Sequence, residues 1–405
     1  MRRKLNSLLL VSLAFLSFVS LGLPAGLKNV AWPSIRAYFH LPIDAVGWLL
    51  VMFTVGYLVS SFSSGRLLAL MSLGTLLALS CFTAAVGLIG YALAPAWWVM
   101  VALSSLAGFG AGAIDAGVNT FAATQFSARM VNWLHACYGV GAAIGPVIMT
   151  TVLARRHPWQ QGYLIVGVWQ LLVAFCFGLT RKRWAGTGTS IASNRFTIAV
   201  ARASNLRTMK LPVVRLSLAV FFVYTGIETA AGLWTYTLFT EGRAVSPITA
   251  GIWVSVYWGG LTLGRLLSGL VVEHISIHRL LRMCLVGIAV GAILIWLGGA
   301  SSLSFAGLAL MGIALAPVFP SLISATPLRL REEHITNSVG FQIAAAVLGQ
   351  ALLPTFIGVL CGRFGLEVIG PTLLAAACML LGLFEVLTSV SPIPNREESY
   401  EIADL

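Results

Sequence analysis

GFGAGAIDAGVNTFAA, residues 108–123, is the stretch from which the fold is read. It is small and apolar except around Asp115 and Asn119, and it sits inside a longer apolar run. An ionised side chain at mid-bilayer costs roughly 2.5–3.5 kcal/mol on insertion scales. Such a residue persists where it faces an internal cavity and handles a proton or a polar solute. Asn119 lies four residues after Asp115, so a helix puts both on one face. Gly108, Gly110 and Gly112 let a neighbouring helix come close.

The rest of the chain fits this reading. Of 405 residues, 58% are hydrophobic and 9% charged, against about a quarter charged in an ordinary soluble domain. Mean hydropathy is +0.92. The sequence predicts an all-α membrane protein with twelve spans, each near the ~20 residues a bilayer needs. They fall near 6–31, 45–66, 73–93, 97–124, 132–153, 160–180, 212–239, 249–271, 280–298, 304–326, 337–360 and 369–390. The opening Met-Arg-Arg-Lys and apolar run resemble a signal peptide. The run is too long and lacks an A-x-A site, so a retained first helix is expected. The six cysteines show no CxxC or His-paired spacing, so no metal and no cofactor is expected.

The net charge of +12 does not point to nucleic acid. The basic residues collect in alternate loops, as the positive-inside rule requires of cytoplasmic loops. With both termini cytoplasmic, that side holds Arg2, Arg3, Lys4, Arg66, Arg129, Arg279, Arg282, Arg329 and Arg331. The expected organisation is a six-helix bundle at 1–180, a basic linker at 181–211, a second six-helix bundle at 212–390 and an acidic cytoplasmic tail at 391–405. Shifting the sequence by 204 aligns Gly22 with Gly226, Gly56 with Gly260, Gly87 with Gly291, Gly108 with Gly312 and Gly145 with Gly349. Two parallel repeats of six helices account for that register.

Further polar residues interrupt the spans. Glu228 lies in GIETAAGLWTY, with Trp234 and Tyr236 two turns on; the aromatics either contact substrate or sit in an interfacial belt. In NWLHACYGVGAAIGP, Asn132, His135 and Tyr138 share a face. His135 is a candidate proton partner of Asp115 and Glu228, and Tyr138 a candidate substrate contact with Asn119. The 204 shift pairs Tyr138 with Gln342, a further substrate candidate. Lys28 and Asn29 come late in the first span, where Pro24 and Pro33 are taken to mark its approaching end. Lys28 either meets an anionic substrate, pairs with a carboxylate or snorkels to the interface. Arg265 and Glu273 bracket a loop as a conformational latch. Pro317 and Pro320 predict a kink in the tenth span.

The motifs GxGxGxxDxGxN around Asp115, NWLHACYGVGAAIGP, WPSI, GIETAAGLW and WGGLTLGRLLSG give the chain a resemblance. It is similar to the major facilitator superfamily, and within it to the fucose permease-like branch of sugar:proton symporters. The resemblance implies that Asp115 couples proton and substrate and that Tyr138 lines the central cavity. It departs where relatives carry an acid in span one, since this chain has Pro24 there. The expected function is proton-coupled secondary transport of a small polar solute, sugar-like or an organic ion, by alternating access in the inner (plasma) membrane. The expected partners are protons, a small-molecule substrate and the bilayer, with the chain a monomer. A proton-driven exporter of a metabolite, siderophore or drug is the alternative. A non-transporting sensor or scaffold is the alternative of another class. No nucleophile–base set emerges, so an enzyme is not expected.

Overall fold

A computed structural model describes residues 2–126, 128–184, 204–271, 275–300 and 302–391. Among them the chain is helical almost throughout, with no strand. The first six helices are α1 (Arg2–Tyr38), α2 (Val46–Leu70), α3 (Leu73–Leu93), α4 (Trp97–Gln125), α5 (Ala128–Ala154) and α6 (Gln160–Thr180). A short helix α7 (Asn205–Lys210) precedes α8 (Pro212–Thr237), α9 (Pro247–Val271) and α10 (Ile277–Leu297). They are followed by α11 (Ser302–Leu315), α12 (Val318–Arg329), α13 (Glu332–Phe364) and α14 (Ile369–Val390). Eleven stretches among the described residues are long and apolar enough to cross a bilayer. The remaining expected span corresponds to α9, a helix of 25 residues. The linker core at 185–203, Glu273 and the tail from 392 lie outside the described residues.

Two expectations about proline part ways. The tenth span does break: α11 ends at Leu315 and α12 starts at Val318, with Pro317 as its N-cap. The first span does not end near Pro33, because α1 runs through both Pro24 and Pro33 to Tyr38. Proline is tolerated inside a membrane helix because neighbouring helices and side chains satisfy the freed backbone groups. Lys28 is therefore interior to α1.

One compact unit holds α1 to α6 together with Val245–Gly259. In it α1 packs on α5, α2 on α4, and α3 on both α4 and α6. Lipid supplies no hydrophobic drive between helices, so close backbone approach holds them. A Cβ at Gly141 would lie 2.0 Å from the Val19 carbonyl oxygen, and one at Gly22 would lie 1.9 Å from that of Tyr138. On the α2–α4 seam, Gly56 and Gly108 meet the carbonyls of Ser105 and Phe53 at 1.9 and 2.0 Å in the same sense.

The second unit holds the other described helices and α9 from Gly260 onward. There α8 packs on α13 and α14, and α10 on α11 and α14. Gly349 of α13 is set against the Phe222 carbonyl of α8, with 2.0 Å left for a Cβ. The 204 shift thus carries the Gly145 of the α1–α5 seam onto the Gly349 of the α8–α13 seam. Polar ties close the ends of this unit. Buried Arg243 donates to the carbonyls of Ile295 and Gly299 at 2.7 and 2.9 Å, and bridges to Glu367 at 2.6 Å. It thereby caps the last turn of α10, whose final carbonyls have no partner inside the helix. Thr208 of α7 docks on α13 through His334 at 2.8 Å.

The seams give a direct test. Gly141→Val should lower unfolding stability by about 3 kcal/mol, the upper range for overpacking. Gly178→Ala, where nothing lies within 4 Å of the added carbon, should leave it nearly unchanged. Thermal unfolding of the purified protein checks both.

Candidate functional site

The α2–α4 seam decides what Asp115 touches. Gly112 sits one turn before Asp115, and a Cβ there would be 2.4 Å from the Tyr57 carbonyl oxygen. That approach leaves the Tyr57 hydroxyl beside the carboxylate, to which it donates at 2.6 Å. The Asn119 side-chain amide donates to the other carboxylate oxygen at 3.0 Å, as the four-residue spacing predicts. His135 of α5 lies within electrostatic range of Asp115, and Tyr138 within range of Tyr57. The His135 ring meets Phe18 edge-on, with centroids 5.3 Å apart. Asp115, Asn119, His135 and Tyr138 are thus brought together. Tyr57 was missed, because nothing in its own apolar span marks it.

Lys28 and Asn29 lie elsewhere in the same unit. Asn29 is buried, with its amide nitrogen unpartnered. Lys28 is half-buried.

The second unit holds the other acid. Glu228 is 7% exposed. It accepts from Tyr224, one turn earlier in α8, and Arg265 of α9 approaches it at 3.3 Å. Tyr224 also stands 3.1 Å from the Leu315 carbonyl at the end of α11. Arg265 was read from sequence as half of a loop latch; its guanidinium reaches the mid-helix carboxylate of Glu228, while Glu273 lies outside the described residues. Gln342 is 1% exposed, and its carbonyl faces the Thr326 hydroxyl at 3.1 Å. Trp234 is fully buried, with its indole N–H donated to the Pro354 carbonyl at 2.9 Å. Tyr236 is also buried. Neither aromatic is on an exposed rim, so the interfacial-belt reading does not describe them.

Chemically, the two acids differ. Asp115 is held by two neutral donors, Tyr57 and Asn119. Glu228 has a guanidinium as counter-charge. Removing one partner of a buried ion pair typically costs about 3 kcal/mol or more. Arg265→Met should therefore destabilise the protein by roughly that amount, and adding Glu228→Gln to it should recover more than half. Unfolding midpoints of the two single variants and the double variant measure the coupling.

Comparison with known proteins agrees with this architecture. Sodium-dependent glucose transporter 1 of Danio rerio is 25% identical over 328 residues, covering 69% of this chain. The match covers 52% of the fish protein, so the chain spans about half the length of that relative. Glucose/mannose transporter GlcP of Bacillus subtilis (strain 168) is 24% identical over 288 residues, covering 67% of this chain and 68% of the other. Among solved structures, the nucleoside transporter NupG superposes with a TM-score of 0.71 at 14% identity, covering 95% of this chain and 98% of that one. A variant of the E. coli fucose:proton symporter FucP gives 0.63 at 14% identity, covering 94% and 99%. These structural likenesses carry the fold. The family profile carries more: it matches residues 10–233 and again 216–402, nearly the whole membrane-spanning chain, which therefore belongs to the Major Facilitator Superfamily.

Proposed function

We propose that this chain is a proton-coupled secondary transporter of a small polar solute, sugar-like in character, working by alternating access. The observation that carries the reading is the Asp115 site. It is a carboxylate within a membrane span, bonded to a tyrosine hydroxyl and an amide, with an imidazole in range. Neutral donors stabilise the ionised form without fixing a compensating charge. Gain or loss of a proton therefore changes the net charge of the site, and a transporter couples ion to solute through such a change. Two relatives with glucose in their names support a sugar-like solute. One of those names specifies sodium dependence, so sodium is the competing coupling ion.

In this reading Asp115 is the coupling acid, with His135 as proton partner. Asn119, Tyr138, Gln342 and Tyr236 are the candidate polar contacts for a solute. Glu228, fixed by Arg265, is the second proton candidate. Trp234 acts by holding α8 against α13. The protein works as a monomer in the inner membrane, with both termini cytoplasmic.

The test is flux in proteoliposomes, with radiolabelled glucose, mannose and fucose under an imposed pH gradient and, separately, a sodium gradient. Wild type should accumulate solute under the pH gradient. Asp115→Asn should lose that accumulation at least tenfold while retaining solute exchange at equal pH. Accumulation driven by sodium alone, or undiminished in the variant, overturns proton coupling. Outward pumping only would identify an exporter.

A further inference from the structure

We propose that the solute carries a carboxylate, and that Lys28 is its counter-charge: the transported sugar is a monoanionic sugar acid. This rests on the sugar-like reading above and narrows it.

The position of Lys28 carries the argument. Because α1 continues to Tyr38, Lys28 is twenty residues past Leu8 and ten short of Tyr38. At 1.5 Å per residue it lies about 30 Å from one end of the span and about 15 Å from the other. Its Cα–Cβ bond tilts toward the helix N-terminus, away from the nearer end.

Its direction on the helix follows from the seam. The Val19 carbonyl meets Gly141 of α5. Lys28 is nine residues further on, about two and a half turns, so it projects from the side opposite α5. On that side Leu21, Ala25 and Lys28 are only partly buried, whereas Gly22, Leu23, Gly26 and Leu27 of the seam are buried. The lysine is half-buried within a membrane span.

It has no counter-charge there. Among the described residues, no acid and no hydrogen-bond acceptor acts on its ammonium. Asp115 does not fill that role, since Lys28 is not among the groups acting on it. Two more donors, at the next residue and one turn on, are also unmatched. Asn29 is 3% and Trp32 0% exposed, and the amide nitrogen of the first and the indole nitrogen of the second have no acceptor. Trp32 shares the Lys28 face at a four-residue spacing. A buried charge without a partner is expensive. Three donors without an acceptor call for an acceptor-rich anion. A single lysine matches one negative charge, which favours a carboxylate over a phosphate dianion.

The test uses full-length protein and four probes: glucuronate, its neutral isostere glucuronamide, glucose and glucose 6-phosphate. Binding is read by tryptophan fluorescence and transport by exchange in proteoliposomes. Wild type should bind glucuronate at least tenfold more tightly than glucuronamide or glucose. Lys28→Met should abolish that preference, and Lys28→Arg should keep it. The wild-type comparison of acid with isostere stands even if a variant fails to fold. Equal binding of glucuronate and glucose by wild type overturns the proposal and leaves sugar transport standing. A preference for the phosphate overturns the carboxylate assignment. Failure of every sugar to bind or exchange removes the underlying reading as well.

Discussion

Carbonyl oxygens of one helix lie where the β-carbon of a residue on the next would stand, and the rest of the structure depends on that closeness. At Gly22, Gly56, Gly108, Gly141 and Gly349 the gap left for a carbon is 2.0 Å or less. No side chain can be inserted or turned in such a seam. Each helix pair is thereby fixed in rotation as well as in distance. Rotation then determines which polar side chains meet. The Tyr57 hydroxyl reaches Asp115 because the neighbouring turn of α2 lies against Gly112. Lys28 looks away from α5 because Val19 looks toward it.

This division explains what could be read from the amino-acid order alone. Spans, small-residue seams and the Asp115–Asn119 pair depend on spacing along one helix, which the sequence displays directly. The repeat at 204 residues was visible because both seams impose the same demand for glycine. Tyr57, Tyr224 and the reach of Arg265 to Glu228 were not visible, since each depends on which helix lies alongside and at what rotation. Pro24 and Pro33 misled for a different reason. The expectation that proline ends a helix comes from water, where an exposed backbone is easily solvated and a broken helix costs little. Within a bilayer an open carbonyl finds no water, and continuing the helix is the cheaper outcome. The error matters, because it moved Lys28 from an apparent helix end to well inside α1.

The two mid-span acids differ in what holds them. Glu228 sits in a charged triad, with a guanidinium at 3.3 Å and a tyrosine one turn away. Its charge is compensated within the protein. Asp115 is bonded by neutral groups alone, and the lysine of the same unit is not among the groups acting on it. One unit therefore carries a neutralised acid, and the other an acid and a base kept apart. Separation of that kind is costly in a medium of low dielectric, and it leaves both groups open to partners that arrive from solution.

A phenol has one proton to give. Tyr224 stands within reach of two acceptors, the Glu228 carboxylate and the Leu315 carbonyl, and it serves one at a time. The carboxylate is the stronger claimant. Leu315 is the last residue of α11, directly before the proline break. Tyr224 thereby ties the Glu228 carboxylate to the severed end of α11, 91 residues further along the chain than the tyrosine.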